Sequence, residues 1–508
     1  MKKWLSSSGK WLSIALFTAL CNLGIMAQQL PEPKTHDPSL AGQGTTLEGQ
    51  KQGLWNYFDE EAFLRESGHY SDGQRSGTWT FFGQEQEILA QIAYDSLYYQ
   101  EFFPNGNLAG QGSLTENLMQ HGLWEYFHLD GKTWAKGNFH HGTQTDTWTF
   151  WYADGQKNAE IAMEEGLTTW WFANGTVEMK GPVKDGMRNG LWKFFFPSGH
   201  LRQESQFVND LKNGPSKLFY ENGTPEFEGS FKNGLLHGYS KWYFENGQLE
   251  SEGKSVLDVQ DSTWTYYFIN GHIASQGDFV DGKENGFWTF FYTTGEKLRQ
   301  GPMVDGLRHG EWTTWYIGGE ISHKGAFADD LEHGVWTSWY ENGQMQDRGT
   351  FSQGKMDQLW EGWFASGRKR YQVEYRDGER HGLSTHWYES GGLRQVASYE
   401  NGLNHGQWVR WQDNGNKLEE GQFIRGERSG LWRFFDGRGQ KYREQEFAAN
   451  KAHGRFTTFF SDGSKQQEGY YNQGQRHGNW TYWNNQGNVV QTLVFDNGKM
   501  VSRREFNR

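Results

Sequence analysis

The stretch HGVWTSWYENGQ (residues 333–344) follows a near copy of itself, HGEWTTWYIGGE, that begins 24 residues earlier at His309. Each copy puts two Trp three residues apart and a Gly seven residues after the first Trp. With that first Trp as position 0, anchors fall at residues 55, 79, 99, 124, 148 and 168, and then every 24 residues to 480, nineteen units in all. An internal period of this length identifies a repeat architecture before any secondary structure is assigned.

Thirteen anchors are Trp, Tyr99 and Phe456 replace it twice, and Thr168, Ser216, Ser240 and Ser384 break the pattern. Position 3 carries a ring in every unit, and position 7 is Gly in 17, often within ENG as at 341–343. Asn-Gly between two β-prone runs predicts a hairpin with a two-residue type I′ turn, which needs positive φ at both central residues. In that register position 4 faces 9, position 0 faces 13 and position −2 faces 15. Position 13 is Gly in twelve units and position 15 is Phe or Tyr in fourteen, opposite a usual Gly at −2. Each large ring is then expected to cover the glycine directly across from it, Trp336 over Gly349 and Phe351 over Gly334. A second turn, such as KNG at 232–234 or VDG at 304–306, links each hairpin to the next.

Aromatics make up 17% of the 508 residues and Gly supplies 67, against nine Pro, so a core of rings on glycine backbone is expected. The predicted fold is all-β, an elongated repeat array of about nineteen 24-residue β-hairpins forming a coiled antiparallel meander. Its roughly 38 strands, at about 4.8 Å each, would extend on the order of 180 Å if unrolled.

These residues resemble the MORN repeat in its bacterial variant, often labelled the YwqK-type antitoxin family. Gly334, Trp336, Trp339, Asn342, Gly343, Gly349, Phe351 and Gly354 carry the likeness, which extends from about residue 51 to 500. The resemblance implies scaffolding, partner binding, sometimes membrane association, and for a few members toxin neutralisation. The length of this chain and its export signal depart from a small cytosolic antitoxin.

Residues 1–27 read as a secretion signal, with Lys2, Lys3 and Lys10 ahead of an apolar run and cleavage between Ala27 and Gln28. Lipidation at Cys21 fits less well, because Leu20 is bulky where such signals carry a small residue. Cleavage removes the only cysteine, which excludes disulfides and thiolate ligands from the mature chain. It also removes three lysines, taking the formal charge from −13 to −16 (−13 − 3). That balance argues against nucleic acid and against direct binding to anionic membranes. Residues 28–50 predict a flexible leader, 51–165 irregular repeats with two 20-residue intervals, 166–500 regular repeats, and 501–508 a tail. A shortened interval could open a notch, but tolerated length variation in a surface turn is the favoured reading.

Eight histidines precede the −2 position: His121, His237, His309, His333, His381, His405, His453 and His477. Successive row members lie two strands apart, roughly 9.6 Å, too far to share a zinc ion, so turn capping is the expected role. The chain has no G-x-S-x-G elbow, P-loop or H-E-x-x-H, and no pair stands out among its 62 carboxylates. No catalytic residue, metal or cofactor is therefore assigned, and the expectation is a non-enzyme exported to the periplasm, cell surface or medium. The candidate binding row is position 3: Trp171, Phe195, Phe219, Tyr243, Tyr267, Phe291, Trp315, Trp339, Trp363, Trp387, Trp411, Phe435, Phe459 and Trp483. It would meet a partner protein or an envelope component. Stacking on glycans and neutralisation of a toxin are the alternatives.

Overall fold

The computed structural model describes residues 30–506, so the expected signal and its Ala27–Gln28 junction lie outside the described residues. All regular elements among these are β-strands, 43 in number. Three are two-residue pieces, Met187–Arg188, Leu235–Leu236 and Leu307–Arg308, each separated by a single residue from the strand that follows. Strands pair antiparallel with their sequence neighbours, as in Leu331–Trp339 with Met345–Ser352 and the latter with Lys355–Trp363. The expected all-β hairpin meander is what forms.

Counting each split strand once leaves 40 (43 − 3), two more than nineteen hairpins supply. The additions are Lys499–Glu505 at the C-terminal end and Ala41–Leu47 in the segment expected to be a flexible leader. Ala41–Leu47 pairs with Gln50–Phe58. The reason is local: Trp55 needs a glycine beneath it, Gly44 supplies one, and Thr45 O accepts the indole N–H at 3.0 Å.

The chain divides into two compact units, residues 1–249 with 255–258, and residues 250–254 with 259–508. In the first, Trp79, Tyr99, Trp124 and Trp148 are buried with Tyr57, Tyr126 and Phe150 in one aromatic cluster. In the second, rings alternate edge to face across strands. Trp312, Phe327, Trp336, Phe351 and Trp360 follow one another at centroid distances of 6.4, 5.0, 6.0 and 5.0 Å. Perpendicular contacts of this kind place ring edges on ring faces, which stabilises them beyond simple burial.

Three expectations are corrected by the turns and the register. The ENG turn is not type I′, because Gly343 has φ +78 while Asn342 is absent from the positive-φ residues. Gly343 N donates to Tyr340 O and Tyr340 N to Gln344 O, a three-residue loop closed by a glycine bulge. Position 3 therefore faces 9, Trp339 opposite Met345, while 0 still faces 13 because the bulge absorbs one residue. The paired positive φ values occur instead in the linking turns, as at Asn233 (+50) with Gly234 (+86) and Asp305 (+52) with Gly306 (+84).

The −2 glycine has no ring over it: a Cβ on Gly334 would meet nothing within 4 Å. What the position requires is a left-handed backbone. All nineteen −2 residues have positive φ, including the non-glycines Leu97 (+51), Asp146 (+56), Ser262 (+60) and Gln358 (+60). The ladder skips there, from Lys324↔Thr337 to Ala326↔His333, so the strand bulges opposite Gly325.

That bulge redirects the anchor. Trp336 pairs with Gly349 in the ladder, yet its ring lies over Gly325 on the preceding strand, where a Cβ would come within 2.2 Å of the indole. Its Nε1 donates to Ala326 O at 3.0 Å. Twelve of the thirteen anchor Trp sit on a preceding glycine in this way, and the same twelve bond the following carbonyl. The exception, Trp408, pairs with Ala397 and makes no such bond.

Candidate functional site

The strand pleat puts positions 0, 2, 11, 13 and 15 on one face, here the anchor face, and position 3 with 1 and 12 on the other. Each of the fourteen candidate rings from Trp171 to Trp483 lies on this second face and is half-buried. Cations already cover several: Lys369 lies 5.3 Å from the Trp363 ring, Lys441 4.4 Å from Phe459 and Lys465 5.8 Å from Trp483. Cross-strand ion pairs run between them, Lys217 with Glu228 at 3.1 Å and Arg433 with Glu444 at 3.2 Å. Glu252 accepts the Tyr267 hydroxyl at 2.7 Å. The row is thus laced with charge rather than presented as a bare stacking ladder. Position 4 has a structural task, since Tyr292, Tyr316, Tyr340 and Tyr388 each donate to the position 3 carbonyl of the next unit.

Part of the histidine row meets the linking turns, whereas His237 and His381 leave their Nδ1 without a hydrogen-bond partner. His405 Nδ1 accepts from Arg425 N and His453 Nδ1 from Gln473 N, both at 3.4 Å, while His309 lies 3.4 Å from Asp329.

Sequence reading missed a basic row on the anchor face. Position −4 is Lys or Arg in eight units: Lys51, Arg75, Lys212, Arg188, Arg308, Arg380, Arg428 and Arg476. Every one lies over an anchor or position 15 ring, from 3.7 Å for Arg75 on Trp79 to 5.3 Å for Arg380 on Tyr399. The signal was legible only once position 15 was known to face the linking turn, because Gln, Glu or other residues hold −4 elsewhere.

The same face binds the leader. Residues 31–37 cross the first repeats, and three of their main-chain groups bond to side chains of those repeats. Lys34 N donates to Tyr99 Oη at 3.1 Å, Asp37 N to Glu66 Oε1 at 3.0 Å, and Pro31 O accepts from Gln120 Nε2 at 3.3 Å and Tyr126 Oη at 3.5 Å. Glu66 also holds His36 at 2.9 Å and Arg75 at 2.6 Å. A cavity of about 470 Å³ lies beside Pro31, lined by Glu101, Phe103, Pro104, Tyr126 and Trp134. It adjoins the short strand Tyr98–Phe102, where the interval between anchors contracts. Burial raises the Glu101 carboxyl above its usual range.

In the second unit the ring pattern gives way to polar groups around Ser384, which stands where an anchor ring would be. Ser384 Oγ lies 3.2 Å from His386 Nε2, and Arg394 reaches His386 Nδ1 at 3.5 Å. Tyr371 donates to Asp347 at 2.7 Å and Arg370 pairs with that carboxylate at 3.2 Å. Burial, then Arg394, Arg380 and Arg370, hold the His386 imidazole down to about 4. The completely buried Ser384 is not presented to a substrate.

Comparison with protein families matches six segments to the MORN repeat variant: residues 120–141, 188–209, 212–233, 236–255, 332–353 and 380–401. Each begins four residues before an anchor, in the frame read from the sequence. No curated protein matches the chain. Among solved structures it is similar to the TcdB2-TccC3-TEV crystal structure, at 10% identity and TM-score 0.14, over 96% of this chain and 33% of that one. It is also similar to the Photorhabdus luminescens Tc holotoxin pore with a TccC3 variant, at 9% identity and TM-score 0.14, over 95% and 30%. The chain spans about a third of the length of those chains, and likeness at this level carries no conclusion about function.

Proposed function

We propose that this chain is an exported, non-catalytic repeat scaffold whose anchor face binds an extended segment of a partner protein. The docking of residues 31–37 supports this reading. Tyr99, Glu66, Gln120 and Tyr126 bond main-chain groups of that segment, a mode of recognition that takes any extended polypeptide and leaves selectivity to flanking pockets. The elements recur downstream. Gln260 Nε2 donates to Tyr266 Oη at 2.8 Å, as Gln120 does to Tyr126 at 2.7 Å. Tyr126 is 1% exposed beneath Pro31, whereas Tyr266 is half-buried and bonded to no leader segment. Glycan stacking has less support, because the position 3 rings that would serve it are partly covered by ammonium groups.

Binding of a labelled peptide of sequence LPEPKTHDPS to the full chain tests the proposal, with envelope polysaccharide measured in parallel. Saturable peptide binding that weakens in Gln260→Ala and Tyr266→Phe is expected. Saturation by polysaccharide alone, or peptide binding indifferent to both substitutions, would overturn it.

A further inference from the structure

We propose that His121, His140 and His141 form a binding site for a divalent transition-metal ion. The sequence separates His121 from the adjacent His140 and His141, and the repeat register brings it to them. In other units the histidine three residues before the anchor meets the residue seventeen after it, which is acidic at Asp329 opposite His309. In the unit anchored on Trp124 that residue is His141, and the one before it is His140. Strands Gln120–Phe127 and Thr133–His140 pair through Gly122↔Phe139, so the next step along the ladder sets His140 across from His121. The turn that carries His141, whose φ is +46, is tied to the same strand by Gly142 N donating to Gln120 O at 2.8 Å.

The three rings consequently face one another, with centroids 5.5 Å apart from His121 to each of the others and 4.5 Å between His140 and His141. One nitrogen from each lies within 4.8 Å of the others. Tetrahedral zinc with nitrogens at about 2.1 Å needs ligand separations of about 3.4 Å, a contraction that χ rotation of exposed side chains can supply. A set of three imidazoles suits zinc, copper or nickel and not calcium or magnesium, which take oxygen ligands. A fourth position remains for water or for a carboxylate brought by a partner. His140 ends the strand Thr133–His140 and His141 opens the turn after it; neither is a member of the −3 histidine row, so the two-strand spacing of that row does not separate these three rings.

Titration of the chelator-washed full chain with Zn2+ by calorimetry, and with Co2+ by visible absorption, tests the site. The expected result is one equivalent bound, with affinity falling at least about tenfold in His121→Gln and again in a variant also carrying His140→Gln and His141→Asn. Asn occupies the corresponding turn position at Asn233 and Asn401 with positive φ, so the backbone tolerates it. Ca2+ should produce no heat under the same conditions. Equal binding by wild type and the triple variant, with unchanged circular dichroism, would overturn the proposal, as would no binding by wild type at all.

Discussion

The indole of Trp336 rests on Gly325, eleven residues earlier, and not on Gly349, its partner in the β-ladder. In twelve units the hairpin is thereby locked onto the one before it. The contact that looks like internal decoration of a unit is in fact the joint between units.

Gly325→Ala should loosen that joint. The added methyl would meet the indole at 2.2 Å, displacing the ring and breaking its bond to Ala326 O, at a cost of about 1–3 kcal/mol. Trp408, opposite Ala397, shows the form the displaced state takes, without the indole bond to a carbonyl. Faster amide exchange over Leu331–Trp339 in the variant would record the change. Unaltered protection would show that the ring does not hold the strand.

Gln358 occupies the bulge position with φ +60, where fifteen units carry Gly. Gln358→Gly should stabilise the protein by about 0.5–1 kcal/mol by relieving the left-handed strain, and Gly334→Gln should destabilise it by a similar amount. Denaturant midpoints of the two variants should move in opposite directions. A shared direction would mean that side-chain contacts, not backbone conformation, decide the site.

Tyr340 donates to Trp363 O at 3.0 Å across two adjoining hairpins. Tyr340→Phe keeps the ring and removes the bond, so a loss of about 0.5–1.5 kcal/mol is expected. Other units already carry a polar residue without a phenol at this position, among them Gln412, Asp436 and Asn484, so the loss should remain local to the Tyr340 hairpin. Exchange of the Trp363 region is the measurement.

His386 makes stability depend on pH. Its folded-state imidazole is held down to about 4, against 6.5 for the free group. Above about pH 6.5 neither state binds the proton; as pH falls toward 4 the unfolded chain takes it up and the folded site does not, so stability is progressively lost over that window. With the group only half-buried, about 1–2 kcal/mol is the expected size. Denaturation at pH 7 and pH 4.5 should show a smaller difference for His386→Gln than for wild type. An equal difference would place the pH sensitivity elsewhere.

Much of this was legible in the residues. The nineteen units, the hairpin in each, the 0-to-13 pairing and the opposed faces of Trp336 and Trp339 follow from local facts: a two-residue pleat period, turn-forming Gly and a fixed repeat length. That rings recur at position 3 on the opposite face was legible too, but not the Lys and Glu side chains that lie among them. What one hairpin could not reveal was the direction in which a side chain leans, because each strand has two neighbours and the bulge at −2 tips Trp336 toward the earlier one. A trace of this was present: five of the six anchors that are not Trp, namely Tyr99, Thr168, Ser216, Ser384 and Phe456, follow Ile92, Ile161, Ser205, Val373 and Gln445 where a glycine would otherwise stand. The docked leader depends on contacts between segments that no local period encodes, whereas the trio of His121, His140 and His141 arises where the register meets two histidines that the other units lack. They exist because packing rings on glycine leaves the polar groups of neighbouring turns and of a crossing chain to find one another in space.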